Sequence, residues 1–166
     1  MKSAVYLGLS ALAFGMALAP VQQAQAQQSE YQQNAPGQCV GALPAYQANL
    51  RFSPYAVTNN GTASSFVTCA AIGLFPVGVD LYGVYITNPT GASVDVSCTF
   101  ASGQNGFRDP AIPKTQTYPA GSAGFMIWDA VADNGGVQFS HLSNLSCILP
   151  PGLSLDFTAN VASAPL

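Results

Sequence analysis

The sequence predicts an all-β fold, an antiparallel β-sandwich of about seven or eight short strands. Three observations predict it. Apolar and polar residues alternate with a period of two in several short segments. Turn-forming sequences rich in Gly, Pro and Asn separate these segments. After residue 26, no segment of useful length has the 3.6-residue period of an amphipathic helix.

The alternation is clearest in residues 94–100 (VDVSCTF). There every second side chain, starting from Val94, is apolar, and the side chains between are polar. Residues 145–149 and 153–159 repeat the pattern. Such segments predict strands with one face on a core and the other toward solvent.

Other strands are predicted by composition. Residues 66–72 and 81–87 are apolar on both faces, as the central strands of a packed sandwich can be. Residues 124–129 and 137–142 are further predicted strands, and residues 51–57 are a weaker one.

A long connection interrupts this series. Residues 101–123 show no strand pattern and contain Phe107, Arg108 and Tyr118. A connection of this length in a compact domain is usually functional or mobile. The segment is therefore predicted to be either a solvated surface loop or a recognition loop on a rigid scaffold.

The N-terminal segment, residues 1–26, has the three parts of a secretory signal peptide. Lys2 supplies a positive charge, residues 4–19 are almost wholly apolar, and Ala24 and Ala26 stand where a signal peptidase recognises small residues. The apolar run is short for a spanning helix, which needs about 20 residues. Cleavage after Ala26 is predicted, with a secreted or periplasmic product that has no membrane span.

Two segments are predicted to follow the signal peptide. Residues 27–38 are Gln-rich and lack an apolar period, which predicts a disordered arm. Residues 39–166 are predicted to form a single β-sandwich domain, because their number suits one hydrophobic core.

Four cysteines, Cys39, Cys69, Cys98 and Cys147, predict two disulfide bonds in an exported chain. Any four cysteines can pair in three ways, and sequence alone does not choose among them. Because Cys69, Cys98 and Cys147 are predicted to face the core, an inter-sheet bridge from Cys69 to Cys147 is the expected pairing. The spacing does not resemble the close cysteine pairs of a zinc site, and no cofactor is predicted.

The charge balance excludes nucleic acid as a partner. The chain has 4 Lys and Arg residues, 7 Asp and Glu residues and a net charge of −3. So few cations cannot form the basic surface that binds the phosphates of nucleic acids. Solubility must depend on Ser, Thr, Asn and Gln, and such surfaces suit contacts with neutral glycans as well as with proteins.

Residues with catalytic chemistry are few. His141 is the only imidazole, and a lone histidine in an apolar strand is usually structural. Asp129 and Asp133 lie close together beside Trp128, and a pair of carboxyl groups is what a glycoside hydrolase uses. Asp133, however, lies in a turn sequence, where an Asp side chain usually bonds its own backbone. No catalytic residue or metal site is predicted, and these aspartates match calcium-binding spacing poorly.

Aromatic residues indicate binding instead. The candidate binding residues are Trp128, Phe107, Arg108 and Tyr118, with Tyr82 and Tyr85 as further rings. Aromatic rings on a sandwich face form a platform on which a sugar can stack. The alternative is that Trp128, which lies in an apolar segment, is an ordinary core residue.

The order of the cysteine segments resembles a known group of proteins. A cysteine follows a polar arm, and the other three stand in FVTC, VDVSC and LSCILPP. This layout resembles a diffuse group of small, mostly uncharacterised exported bacterial proteins with four cysteines, over about residues 39–160. The resemblance implies a β-sandwich outside the cytoplasm and no particular activity. Ala70 stands where a proline follows the second cysteine in that group.

The sequence thus predicts an exported, non-enzymatic protein that acts through its surface on an unknown protein or glycan partner. The alternative is a carbohydrate-binding module, and a second alternative is a glycoside hydrolase-like enzyme that uses Asp129 and Asp133. A fimbria-like subunit with residues 27–38 as its donor strand is disfavoured, because that arm lacks alternating apolar anchors.

Overall fold

The computed structural model describes residues 28–73, 78–103 and 111–163, which form two antiparallel β-sheets packed face to face. The predicted all-β sandwich is confirmed. The predicted signal peptide lies outside the described residues. Within them, no helix has the length and apolar character needed to cross a bilayer.

The described residues contain eleven strands and three short helices. The strands are β1 (Gln28–Asn34), β2 (Cys39–Gly41), β3 (Leu50–Phe52), β4 (Val57–Asn59), β5 (Ser65–Ile72), β6 (Leu81–Asn88), β7 (Val94–Ser102), β8 (Ala111–Tyr118), β9 (Ser122–Asp129), β10 (Leu142–Leu149) and β11 (Ser154–Ser163). The helices are α1 (Ala35–Gln38), α2 (Pro44–Gln47) and α3 (Ala130–Asp133).

The two sheets are here called sheet A and sheet B. Sheet A has the order β3-β4-β11-β6-β9, and β1 also pairs with β11. Sheet B has the order β2-β5-β10-β7-β8. In β7 and β10 the core follows the predicted alternation, since Cys98, Phe100, Cys147 and Leu149 are all buried. The alternation predicted for residues 153–159 is wrong after Leu155, because a β-bulge there turns Phe157 to the outer face.

The arm predicted to be disordered is a strand in the structure. Residues 28–34 form β1 along β11, and Ala35 at the start of α1 is buried. Strand pairing uses main-chain hydrogen bonds, so the Gln-rich sequence gives no apolar signal of it. The helix α1 then leads from sheet A to β2 in sheet B.

The disulfide pairing also differs from the expected one. Cys39 is bonded to Cys69, and Cys98 to Cys147. Each bond joins residues directly opposite each other on neighbouring strands of sheet B, with Cα atoms 3.9 and 4.0 Å apart. The expected Cys69–Cys147 bridge is wrong because β5 and β10 lie in the same sheet, where Cys69 is opposite Leu145.

The long connection contains a strand. The edge strand β8 occupies residues 111–118 and pairs with β7. Lys114 and Gln116 are among its less exposed positions, so the apolar alternation that marks a strand is missing. Phe107 and Arg108 lie outside the described residues. The strand predicted at 137–142 is also reduced, since β10 begins only at Leu142.

Side chains join the two sheets where β8 and β9 form their edges. The Nζ of Lys114 donates to the backbone oxygen of Ile127 in β9, at 2.6 Å. In return, the Nε1 of Trp128 donates to the backbone oxygen of Ile112 in β8, at 2.9 Å. Each of the two edge strands therefore has a main-chain oxygen engaged by a side chain of the other.

Candidate binding site

The outer faces of the two sheets both carry apolar side chains, in different arrangements. On sheet B, Phe66, Ile72 and Ile148 lie among paired hydroxyl groups, such as Thr68 with Ser146 at 3.1 Å. On sheet A, three aromatic rings contact one another beside a cleft. A contiguous apolar surface beside a concavity is typical of an interaction site, so the candidate site is taken on sheet A.

Three aromatic side chains form a row across the outer face of sheet A. Phe157 in β11 lies opposite Tyr85 in β6, and Tyr85 lies opposite Phe125 in β9. Directly opposite residues of antiparallel strands point to the same face of the sheet. We call Tyr85, Phe125 and Phe157 the aromatic cluster.

The rings of the aromatic cluster hold one another in place. The centroids of Tyr85 and Phe157 are 5.0 Å apart with nearly parallel planes, at 9°. The ring of Phe125 stands edge-on to both, at centroid distances of 5.0 and 5.4 Å. Phe125 is 37% exposed, and the other two rings are partly exposed. Because the rings already restrict one another, ligand binding would cause a smaller loss of side-chain entropy.

A cleft lies beside the aromatic cluster. In the next row across the sheet, Ala159 is opposite Gly83, so the floor of the cleft has almost no side chains. Phe125 leans over this floor, since a Cβ at position 83 would lie 3.1 Å from its Cδ1 atom. Phe125 and Ile127 line the cleft on the β9 side, and Glu30 lines it on the β1 side.

One carboxylate lies at the cleft and another beside the aromatic cluster. On β1, Gln32 donates from Nε2 to Oε1 of Glu30, at 2.7 Å. At the β-bulge of β11, Asp156 accepts from the hydroxyls of Thr87 at 2.6 Å and Ser154 at 2.8 Å. The site therefore combines exposed aromatic rings with hydrogen-bond acceptors held by neighbouring side chains.

The structure does not bring the candidate residues of the sequence analysis together. Trp128 is 0% exposed and Tyr118 is 2% exposed, so neither ring presents a face to solvent. Burial raises the pKa of the Tyr118 hydroxyl to about 12. Phe107 and Arg108 lie in the segment that the structure does not describe. Trp128 instead packs on Phe100, with ring centroids 5.6 Å apart.

The two aspartates of the hydrolase alternative are engaged in structural contacts. The Oδ1 of Asp129 accepts from the backbone N–H groups of Val131 and Ala132 and caps α3. The Oδ2 of Asp133 accepts from Lys114 Nζ and from the backbone of Asp129, both at 2.7 Å. Both carboxyl groups thus stabilise the turn after β9.

The electrostatic environment of Asp133 does not suit a general acid. Its partial burial acts to raise the pKa of the carboxyl group. The hydrogen bonds from Lys114 and from the Asp129 backbone, together with the charge of Lys114, outweigh this effect, so the pKa lies below its ordinary value. A general acid of a glycoside hydrolase needs a raised pKa. These contacts therefore speak against the hydrolase alternative.

The ion pair between Asp133 and Lys114 should make stability depend on pH. The side chains are 15% and 31% exposed, and we expect Asp133→Asn to lower the free energy of unfolding by about 1–2 kcal/mol at pH 7. A lowered pKa stabilises the fold above the ordinary pKa of about 3.9, and this contribution disappears as pH falls through the folded value. Urea unfolding of both proteins should therefore show the difference closing below about pH 4.

The control for this experiment is Asp95→Asn. Asp95 is exposed on the outer face of sheet B, where it accepts one hydrogen bond from the hydroxyl of Thr117. This variant has the same change of charge, and we expect it to change the free energy of unfolding by less than about 0.5 kcal/mol. Equal losses in the two variants would contradict a specific role for the Asp133–Lys114 pair.

The described residues hold no group of three or more His, Cys, Asp or Glu side chains placed to bind a metal ion. His141 lies just before β10, and its backbone oxygen accepts from the N–H of Gly73 at 2.6 Å.

The predicted binding residues do not include Phe125 or Phe157, and Tyr85 is only one of several further rings. Residues 81–87 carry a signal, because they are apolar on both faces. That pattern predicts a strand packed on both faces. In the structure, one face of β6 packs into the core and the other carries Tyr85 and Gly83 in the candidate site.

Comparisons with known proteins give likeness in structure alone. No family model matches the sequence. No curated protein matches it either. Of the predicted resemblance to exported four-cysteine proteins, the β-sandwich and the two disulfides are shown.

Several solved structures have a similar course of the chain. A family two carbohydrate esterase from Cellvibrio japonicus has a TM-score of 0.49 at 10% identity, and the match covers 84% of this chain and 37% of the esterase chain. The module CBM35 from Paenibacillus barcinonensis has a TM-score of 0.48 at 10% identity, covering 81% and 99% of the two chains. The CBM36-1 domain of a xylanase from the hindgut metagenome of Trinervitermes trinervoides has a TM-score of 0.43 at 10% identity, covering 83% and 100%. At these identities, no residue role is transferred to this chain.

Proposed function

We propose that the protein binds glycans without modifying them, and that the ligand lies on the outer face of sheet A against the aromatic cluster. The observation that carries this proposal is the row formed by Tyr85, Phe125 and Phe157 beside a cleft with a floor of Gly83 and Ala159. One face of a sugar ring presents C–H groups that pack on aromatic rings. Its hydroxyl groups need hydrogen-bond partners at the rim.

The flanking polar groups favour a glycan over a protein partner. Asp156 presents a carboxylate beside the aromatic cluster and Glu30 presents one at the cleft, and charged residues are depleted from the centres of protein–protein interfaces. A carboxylate accepts strong hydrogen bonds from hydroxyl groups, which a glycan supplies in number. The site thus supports the carbohydrate-binding alternative better than an unspecified interaction role.

The proposed site differs from the one expected from the sequence. Trp128 lies on the inner face of β9, in the core, and the rings on the outer face of sheet A are those of the aromatic cluster. The proposed location is outside the cytoplasm, secreted or periplasmic, because two disulfide bonds are typical of proteins that fold in oxidising compartments.

Isothermal titration with a panel of soluble neutral oligosaccharides tests this proposal. We expect at least one to bind, and we expect Tyr85→Ala and Phe125→Ala each to weaken that binding about tenfold, as truncation of a central aromatic contact does. Both side chains are partly exposed, so the variants should fold, and the fluorescence of the buried Trp128 should be unchanged.

The matched control is Phe66→Ala. Phe66 lies on the outer face of sheet B, next to Tyr46 at a centroid distance of 6.4 Å. Its removal should leave glycan affinity unchanged. Binding that survives both Tyr85→Ala and Phe125→Ala, or no binding to any oligosaccharide in the panel, would overturn the proposal.

A further inference from the structure

We infer that Glu30 makes the site selective for uncharged glycans and against those that carry carboxylate groups. This inference rests on the proposed function and concerns the class of glycan. Its basis is the position of a carboxylate on the cleft wall that faces the aromatic side of the cleft.

Glu30 is placed at the cleft by strand pairing. It lies opposite Val161 in β11, which in turn is opposite Leu81 in β6, and all three line the cleft. The amide of Gln32 binds Oε1 of Glu30 and orients the carboxylate. A ligand packed against Phe125 therefore meets this carboxylate on its other side.

The charges near the site are negative. Asp156 adds a second carboxylate at the β-bulge, next to the aromatic cluster. In the part of the chain that the structure describes, no cation lines the cleft. Lys114 is paired with Asp133, and Arg51 lies in β3, separated from β6 by β4 and β11.

These negative charges should affect the affinity for neutral and acidic sugars differently. A hydroxyl group of a neutral sugar donates a hydrogen bond to the Glu30 carboxylate. A uronic acid in the same position brings a second negative charge and no donor at its carboxylate. At close range near a protein surface, repulsion between two unit charges is large enough to change affinity about tenfold or more.

Matched pairs of oligosaccharides test the inference. The probes are hexamers of glucose, mannose and xylose, each paired with a counterpart that carries uronic acid residues. We expect titration calorimetry at low salt to show neutral members binding roughly tenfold more tightly than acidic ones. Glu30→Gln should bring the affinities for the neutral and acidic members of a pair to within about threefold of each other, because the repulsion is removed.

The control is again Asp95→Asn, which removes the same charge from the opposite face of the sandwich. It should leave the ratio of neutral to acidic affinity unchanged. Equal affinity for both members of a pair in the unmodified protein, or an unchanged ratio in Glu30→Gln, would overturn the inference while glycan binding stands. Binding to none of the probes would overturn the proposed function and this inference with it.

Discussion

Replacement of Trp128 by alanine is expected to lower the free energy of unfolding by about 3–5 kcal/mol. Trp128 is 0% exposed, packs against Phe100 and donates from Nε1 to Ile112. Its truncation would leave a large cavity between the sheets and free the backbone oxygen of an edge strand. Urea unfolding followed by circular dichroism measures the loss.

Trp128→Phe separates the contribution of ring packing from that of the hydrogen bond to Ile112. It keeps most of the ring volume and removes the hydrogen bond, so we expect a smaller loss, of about 1–2 kcal/mol. A loss below about 1 kcal/mol in Trp128→Ala would mean that the ring is not in the core. That result would return Trp128 to the list of candidate binding residues.

Removal of the Cys98–Cys147 bond is expected to cost about 4.1 kcal/mol in chain entropy of the unfolded state, and removal of the Cys39–Cys69 bond about 3.6 kcal/mol. The two values follow from sequence separations of 49 and 30 residues. The variants are the alanine pairs Cys98→Ala with Cys147→Ala, and Cys39→Ala with Cys69→Ala. Urea unfolding under non-reducing conditions measures both.

The same variants test the pairing itself. With the pairing of the structure, each double variant keeps one intact bond and has no free thiol after denaturation and alkylation. With a Cys69–Cys147 bond, the variant without Cys98 and Cys147 would lose the partner of Cys69. Alkylated Cys69 and Cys39 in that variant, seen by mass spectrometry, would contradict the structure.

The sequence was sufficient for the fold class because strands with one buried face carry a period of two. β7 and β10 show this directly, and both lie close to their predicted bounds. β8 and β1 were not predicted as strands. Each pairs with a single neighbouring strand, β8 with β7 and β1 with β11. Their polar side chains, Lys114 and Gln32 among them, are compatible with main-chain pairing and leave no apolar signal.

The candidate site was less predictable for a different reason. Tyr85, Phe125 and Phe157 come from three strands that are distant in sequence, and only the register of β6 with β9 and β11 sets them side by side. A strand that is apolar on both faces is compatible with complete burial or with an exposed binding face. Local sequence does not distinguish these, because the difference depends on whether another layer covers the outer face.

The hydrogen bonds from Lys114 to Ile127 and from Trp128 to Ile112 have a consequence for crowded conditions. A protein that binds a polymer accumulates many copies along it, and open strand edges at high local concentration act as templates for aggregation. Here one main-chain oxygen on each of the two edge strands, that of Ile112 and that of Ile127, already accepts a hydrogen bond within the molecule. With the proposed function, a neighbouring copy on the same glycan chain could not use these two oxygens to add a strand.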